Sequence, residues 1–191
     1  MLNSIRMPVE YKSAWWEISP FTGSLILHSH KPKLSNFDQI PKSVSNILNL
    51  CDSPYSCRWS PEVEKYSLDL NGRKVLEKMN SRLHLISNRH FLTSILYAGL
   101  TTPLFNNTRE AFSNIGRLPQ QIESRADYCL QRSLLAAKTS ISFKKNGVLL
   151  IGAALDSADM HAWIMESGEQ PDHEDRNWIN FRPLLAFIHS K

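Results

Sequence analysis

The sequence lacks any uninterrupted apolar run of the roughly 18 residues that a membrane-spanning helix needs. Its N-terminus also lacks the basic-then-apolar order of a secretory signal peptide. Cysteine is scarce, and the count of three is odd, which argues against the paired disulfides of small secreted proteins. Together these absences predict a cytoplasmic protein without a membrane span, in which a single thiol can be reactive.

A strong charge of one sign is missing as well. The net charge is +4 and the sequence pI is about 9.0, but the basic residues are scattered, so we predict a peptide partner and not nucleic acid. The sequence has no Walker-type glycine loop, so no nucleotide site of the usual kind is predicted. Neither Cys51 with Cys57 nor His28 with His30 has the spacing of zinc ligands, so no metal site is predicted.

The first third of the chain predicts a β-hairpin followed by a helix. Residues 14–19 are aromatic and β-branched, which is typical of a strand. Pro20 and Gly23 suit the turn, and residues 24–28 form the return strand. Residues 41–50 then show the apolar spacing of a helix.

Helical spacing dominates the middle of the chain. Residues 72–100 predict one or two helices, and residues 101–121 predict a linker or surface loop because they are rich in Thr, Asn, Pro and Gly. Ser124 and Asp127 then have the spacing of a capping box, with Asp in place of the usual Glu. A helix is predicted from there through residue 137.

The C-terminal part predicts a small antiparallel sheet. Residues 147–154 form an apolar run of strand length, and residues 160–165 and 184–188 predict two further strands. Ser167 and Gly168 predict a turn, after which residues 170–175 can run back as a strand. A helix followed by such a sheet is an α+β arrangement.

Cys129 and His161 are the candidate nucleophile and base. Cys129 lies in the first turns of its predicted helix, where the helix dipole favours a thiolate, and beside the apolar stripe of the helix. His161 opens a predicted strand after a polar loop, from which it can project into a cleft and deprotonate the thiol. Taken singly, a packed cysteine and a hydrogen-bonded core histidine are the commoner explanations of such residues.

Two acids compete to orient the histidine. A two-residue turn at residues 167–168 places Glu174 opposite His161, and Asp172 then lies on the diagonal. A three-residue turn places Asp175 opposite the histidine instead. The sequence does not settle the register. We favour Asp172, because it ends the predicted return strand, and keep Asp175 as the alternative.

Three segments resemble the B proteins of lasso-peptide biosynthesis. Residues 127–134 (Asp-Tyr-Cys-Leu-Gln-Arg-Ser-Leu) are similar to that family's nucleophile helix, which has Cys-Leu followed by Arg/Asp-Ser-Leu. Residues 149–152 (Leu-Leu-Ile-Gly) resemble its Val-Ile-Gly strand, and residues 160–164 (Met-His-Ala-Trp-Ile) its His-Ala/Ser-Trp-Val motif. The chain departs from the family at residues 153–156, where Ala-Ala-Leu-Asp replaces the common Val-Arg-x-x-Pro-Phe, and in the apparent length of the hairpin.

The resemblance implies a leader peptidase that matures a ribosomally made lasso-peptide precursor. It implies a transglutaminase-like or papain-like cysteine peptidase domain at residues 73–191 and a small winged-helix-like leader-recognition module at residues 1–72. An asparagine-synthetase-like cyclase would be the partner enzyme, and ATP dependence is associated with the family. In the module, an exposed edge strand at Leu25, Ile26 and Leu27 would accept an extended leader through main-chain hydrogen bonds.

The expected chemistry is acyl transfer, with Cys129 attacking the carbonyl at the leader junction and His161 moving the proton. For the oxyanion hole, the candidates are the backbone N–H of Cys129 and the side chains of Gln120 and Gln121. Two other functions stay open: a non-catalytic peptide-binding protein with the same fold, and a nucleic-acid-binding protein suggested only by charge and the winged-helix-like start.

Overall fold

The structure is a computed structural model, and it describes residues 2–33, 68–83, 90–116, 118, 125–175 and 177–189. Several predictions lie outside the described residues: the helix at residues 41–50, the capping role of Ser124, and the placement of Cys51, Cys57, Gln120 and Gln121.

Strands and helices alternate in blocks along the described part of the chain. The strands are β1 (Leu2–Arg6), β2 (Val9–Tyr11), β3 (Ala14–Ile18), β4 (Leu25–His28), β5 (Gly147–Ala154), β6 (Asp159–Glu166) and β7 (Arg182–His189). The helices are α1 (Leu70–Leu83), α2 (Phe91–Gly99), α3 (Thr108–Ile115), α4 (Arg125–Thr139) and α5 (Ile141–Asn146), with a 3-10 turn at Trp178–Asn180.

The strands form two separate antiparallel sheets. The larger sheet has the order β1-β7-β5-β6, and the smaller has the order β2-β3-β4. The predicted hairpin is confirmed, since β3 pairs with β4 in antiparallel register from Trp15 opposite His28 to Ile18 opposite Leu25. The predicted α+β class is confirmed as well. None of the described helices is long and apolar enough to cross a membrane.

Strand β5 is buried on both faces of the larger sheet. Leu149 and Ile151 lie in the main core with helix α4, while Val148 and Leu150 lie in a second cluster on the opposite face. Successive side chains of a strand point to opposite faces. The unbroken apolar run at residues 147–154 therefore follows from the central position of β5, where both faces exclude water.

Helix α3 occupies part of the segment that was predicted to be a linker or loop, so that prediction is wrong. Asn107 caps the helix, because its side chain accepts a hydrogen bond from the Glu110 N–H at 2.8 Å. The Glu110 carboxylate in turn accepts one from the Asn106 N–H at 3.2 Å. Asn107 and Glu110 have the spacing of a capping box, which is visible in the sequence and was missed.

Strand β1 joins the C-terminal sheet. Residues Leu2 to Arg6 pair with β7, in register from Leu2 opposite His189 to Arg6 opposite Leu185. The two sheets therefore do not follow the predicted division at residue 72, since a strand from residues 1–72 completes the sheet of residues 73–191. The domain boundary itself stays a prediction.

Candidate active site

Helix α4 brings Cys129 to the His161 strand. Cys129 is half-buried, and Ser133 lies one turn further on the same face of the helix. The Ser133 hydroxyl donates a hydrogen bond to the Ala162 carbonyl at 3.1 Å. Because this bond joins α4 to β6 one residue beyond His161, it orients the Cys129 face toward the histidine.

Strand β6 holds His161 in a mostly buried position at the edge of the larger sheet. The Cα of His161 lies opposite that of Gly152 on β5. Its ring stacks on Phe181 with centroids 4.8 Å apart and on Trp163 with centroids 5.9 Å apart. Only 14% of the side chain is exposed. The two aromatic rings restrict the rotation of the imidazole.

Asp175 is the acid that contacts this histidine. Its Oδ2 lies 2.8 Å from His161 Nε2. The same oxygen accepts a hydrogen bond from the Gln170 side-chain amide at 3.2 Å, and Oδ1 accepts one from the Asn177 N–H at 3.3 Å. Asp175 was the alternative acid in the sequence analysis.

Asp172, the acid favoured from the sequence, lies elsewhere, and its predicted contact with the histidine is corrected here. Its carboxylate forms a two-point ion pair with Arg132 of α4, at 2.7 Å to Nε and 2.6 Å to Nη2. Burial disfavours the charged guanidinium, but Asp172 and Glu174 outweigh it and raise the pKa of Arg132 above its ordinary value.

The choice of Asp172 was wrong because the predicted return strand does not form. The two-residue turn is present, because Ser167 and Gly168 both have positive φ and Glu166 pairs with Glu169. That bridge is isolated, and no strand follows it before residue 176. Pro171 has no N–H for a ladder. We call residues 170–175 the acidic loop, and it reaches His161 by folding back, so strand register does not select the acid.

Electrostatics favour a protonated His161 at neutral pH. Burial lowers its pKa, but hydrogen bonds to Asp175 and to the Cys129 side chain, together with their charges, outweigh burial and raise the pKa of His161 to about 9. Since Nε2 faces Asp175, Nδ1 is the ring atom left for the sulfur. An imidazolium beside a cysteine stabilises the thiolate, which is the nucleophilic form.

The helix dipole contributes less than the sequence analysis expected. Cys129 is the fifth residue of α4, and only the first four N–H groups of a helix lack an intrahelical acceptor. The dipole effect also falls off within the first turn. The His161 imidazolium is therefore the main positive charge beside the sulfur, and the Cys129 N–H is a poorer oxyanion donor than expected.

Four residues of the site were missed or given no role in the sequence analysis. These are Gln170, Arg132, Phe181 and Trp163. Gln170 bonds to Asp175 and Arg132 bonds to Asp172, while Phe181 and Trp163 both stack on His161. Arg132 and Trp163 are part of the motifs quoted above, so the sequence already indicated that they could belong to the site.

Strand β4 lies at the edge of the smaller sheet. Leu25 and Ile26 are partly buried, and Leu27 is 56% exposed. Among the described strands, only β3 pairs with β4. An edge strand presents unpaired main-chain groups to which an extended peptide can add. Binding at this edge stays a prediction.

In the described ranges, no group of three or more His, Cys, Asp and Glu side chains is arranged to hold a metal ion. Comparisons of the chain with protein-family models, with curated proteins and with solved structures found no match. Any functional conclusion therefore depends on the chemistry of the site.

Proposed function

We propose that this chain is a cysteine peptidase that removes the leader from a ribosomally made lasso-peptide precursor and acts with a lactam-forming cyclase. The observation on which the proposal depends is the hydrogen-bonded series Cys129, His161 and Asp175. It combines a nucleophile, a base and an orienting acid in the order that activates a thiol. A transglutaminase-like fold is part of the same proposal.

The proposed reaction has two halves. The Cys129 thiolate attacks the carbonyl carbon at the leader junction, and the peptide C–N bond breaks as His161 gives its proton to the leaving amine. The leader then remains on the sulfur as a thioester. His161 next takes a proton from water, whose oxygen attacks the thioester, and the C–S bond breaks to restore the thiolate. Asp175 holds the imidazole in one orientation throughout.

Two features support a peptide substrate. The β4 edge can bind an extended leader by main-chain pairing, and the aromatic stacking on His161 lowers the exposure of the base to water. The resemblance of residues 127–134 and 160–164 to lasso-peptide B proteins supports a leader as that peptide and a cyclase as the partner enzyme.

The first experiment is alkylation with iodoacetamide at pH 6, followed by peptide mapping of all three cysteines. An ordinary thiol is almost entirely protonated at this pH, whereas a thiolate beside an imidazolium reacts. We expect Cys129 to be alkylated much faster than the other two cysteines, and His161→Ala to remove that difference. Ser142→Ala, at a site on helix α5, is the matched control.

The second experiment is incubation of the chain with a lasso-peptide precursor, taken from any short open reading frame that lies beside its gene. The expected product is the leader with a free carboxylate, detected by mass spectrometry. If Cys129 is the slowest of the three cysteines to react and the precursor stays intact, the peptidase proposal is wrong. Leader binding without cleavage would instead indicate the non-catalytic peptide-binding alternative.

A further inference from the structure

We infer that the buried ion pair between Arg132 and Asp172 positions Asp175 against His161. The inference rests on the proposed peptidase function and adds two positioning residues to it. Both would act through Asp175, because they hold the acidic loop on the helix that contains Cys129.

Contacts outside the acidic loop orient Arg132. Its guanidinium carbon lies 5.5 Å from the ring centre of Phe112 on α3 and 5.8 Å from that of Tyr128 on α4. Cation–π contacts on two rings hold the planar group in a defined orientation. Arg132 lies three residues after Cys129, so the orientation is defined relative to the nucleophile.

The ion pair between Arg132 and Asp172 has a defined geometry and is buried. Two parallel bonds of 2.7 and 2.6 Å join the guanidinium to the carboxylate, and the side chains are only 7% and 6% exposed. A two-point ion pair of this kind defines the relative position of the two groups in addition to stabilising their contact. Glu174 adds a bond of 2.8 Å to Arg132 Nη1, although its side chain is half-exposed.

Short local bonds connect Asp172 to Asp175. The Asp175 N–H donates to the Asp172 carbonyl at 3.2 Å, which closes a turn. Gln170 spans the same loop, since its Oε1 accepts from the Asp172 N–H at 2.5 Å and its Nε2 donates to Asp175 at 3.2 Å. Movement of Asp172 away from Arg132 would therefore move Asp175 away from His161.

A second arginine contacts the residue just before the acidic loop and provides a matched control. Arg109 of α3 lies 3.4 Å from Glu169, and these side chains are 33% and 54% exposed. Exposed pairs of this kind contribute little and position weakly. Arg109→Gln thus removes an arginine–carboxylate contact beside the acidic loop but leaves the buried pair in place.

The test is an NMR titration of His161 in the full chain, together with the pH profile of Cys129 alkylation. Four variants are compared with the unsubstituted chain: Asp175→Asn, Asp172→Asn, Arg109→Gln and the double variant Arg132→Met with Asp172→Leu. We expect His161 to titrate near pH 9 in the unsubstituted chain and in Arg109→Gln. In the other three it should titrate at least about one pH unit lower, because loss of a neighbouring carboxylate shifts a pKa by about 1–3 units.

The double variant keeps the test decisive if Asp172→Asn fails to fold. Asp172→Asn leaves the buried Arg132 with the half-exposed Glu174 as its remaining acidic partner, whereas replacing both members of a buried ion pair by apolar groups is often tolerated. Arg132→Lys gives a milder form of the same test, since it keeps the charge and loses the two-point geometry. It should shift the titration by less than Asp172→Asn does.

The outcomes separate this inference from the proposed function. If Asp175→Asn lowers the His161 titration while folded Asp172→Asn and the folded double variant still titrate near pH 9, the positioning inference is wrong and the active site stands. If Asp175→Asn also leaves the titration unchanged, the role of Asp175 in the proposed active site fails as well.

Discussion

The two sheets of this protein differ in what they expose: the larger sheet buries a bonded polar pair, and the smaller sheet has an exposed edge strand. At the larger sheet, the side chains of His161 and Asp175 are only 14% and 13% exposed, and they are hydrogen-bonded to each other. In the smaller sheet, β4 lies at an edge and Leu27 is exposed. Catalysis needs fixed distances between a few atoms, which burial and stacking provide. Recognition of an extended peptide needs unpaired main chain, which an edge provides.

If this comparison is right, substitutions in the two regions should separate catalysis from binding. The largest effect is expected from Cys129→Ala, which removes the nucleophile. Precursor cleavage should fall by more than about 10³-fold, because the remaining groups act through the cysteine. Leader affinity, measured by fluorescence anisotropy with a labelled leader peptide, should stay the same. A variant that still cleaves at a comparable rate would contradict the assignment of Cys129.

The next largest effect is expected from Asp175→Asn. The amide keeps the shape of the acid but loses the charge that holds His161 in its orientation, so cleavage should fall by about 10²–10⁴-fold. The measurement is the initial rate with the same precursor. Glu169→Gln is the control, because Glu169 is an exposed acid just before the acidic loop, and this variant should cleave at the unsubstituted rate.

A smaller effect concerns stability and pH. The pKa of His161 is about 9 in the folded protein against 6.5 ordinarily, so the folded state holds an extra proton between these values. The contribution of His161 to the free energy of unfolding should be complete below about pH 6.5 and should be lost as the pH rises through 9, by about 1–2 kcal/mol after solvent screening. Urea unfolding at several pH values measures this fall. It should disappear in His161→Gln, and an equal fall in that variant would assign it to another group.

The smallest effect is expected in the smaller sheet, from Leu27→Glu on β4. A charge at this exposed edge position should weaken leader affinity by about 10-fold, since interface residues of moderate importance contribute about 1 kcal/mol or more. The pH 6 alkylation rate of Cys129 should not change. Phe21→Ser removes another exposed apolar side chain of the same sheet, in its turn, and should bind the leader normally. Equal weakening by both variants would argue against β4 as the binding edge.

Local patterns predicted much of the fold. The strands at residues 147–154 and 160–165 and the hairpin at residues 14–28 are present, because side-chain alternation, apolar runs and turn residues act over a few positions. The segment predicted as a linker contains α3. The prediction was wrong because the Asn and Thr residues of this segment were interpreted as loop formers, whereas Asn107 is a helix cap.

The choice between the two acids could not be made in the same way. Residues 170–175 contain three acids within four positions, and each is close enough in sequence to reach His161. Which one does so depends on where the chain leaves the β6 ladder. Pro171 ends the pairing locally, but Arg132, which binds Asp172, lies 40 residues away along the chain.

The sequence by itself determined the α+β class, the helix of Cys129, the strand of His161 and the turn that precedes the acids, because each depends on neighbouring residues. The tertiary structure decided that β1 completes the C-terminal sheet, that Asp175 and not Asp172 contacts the histidine, and that the pKa of His161 is raised. These depend on distances between residues far apart in the chain. Ion pairing and desolvation change steeply with such distances, and no local pattern encodes them.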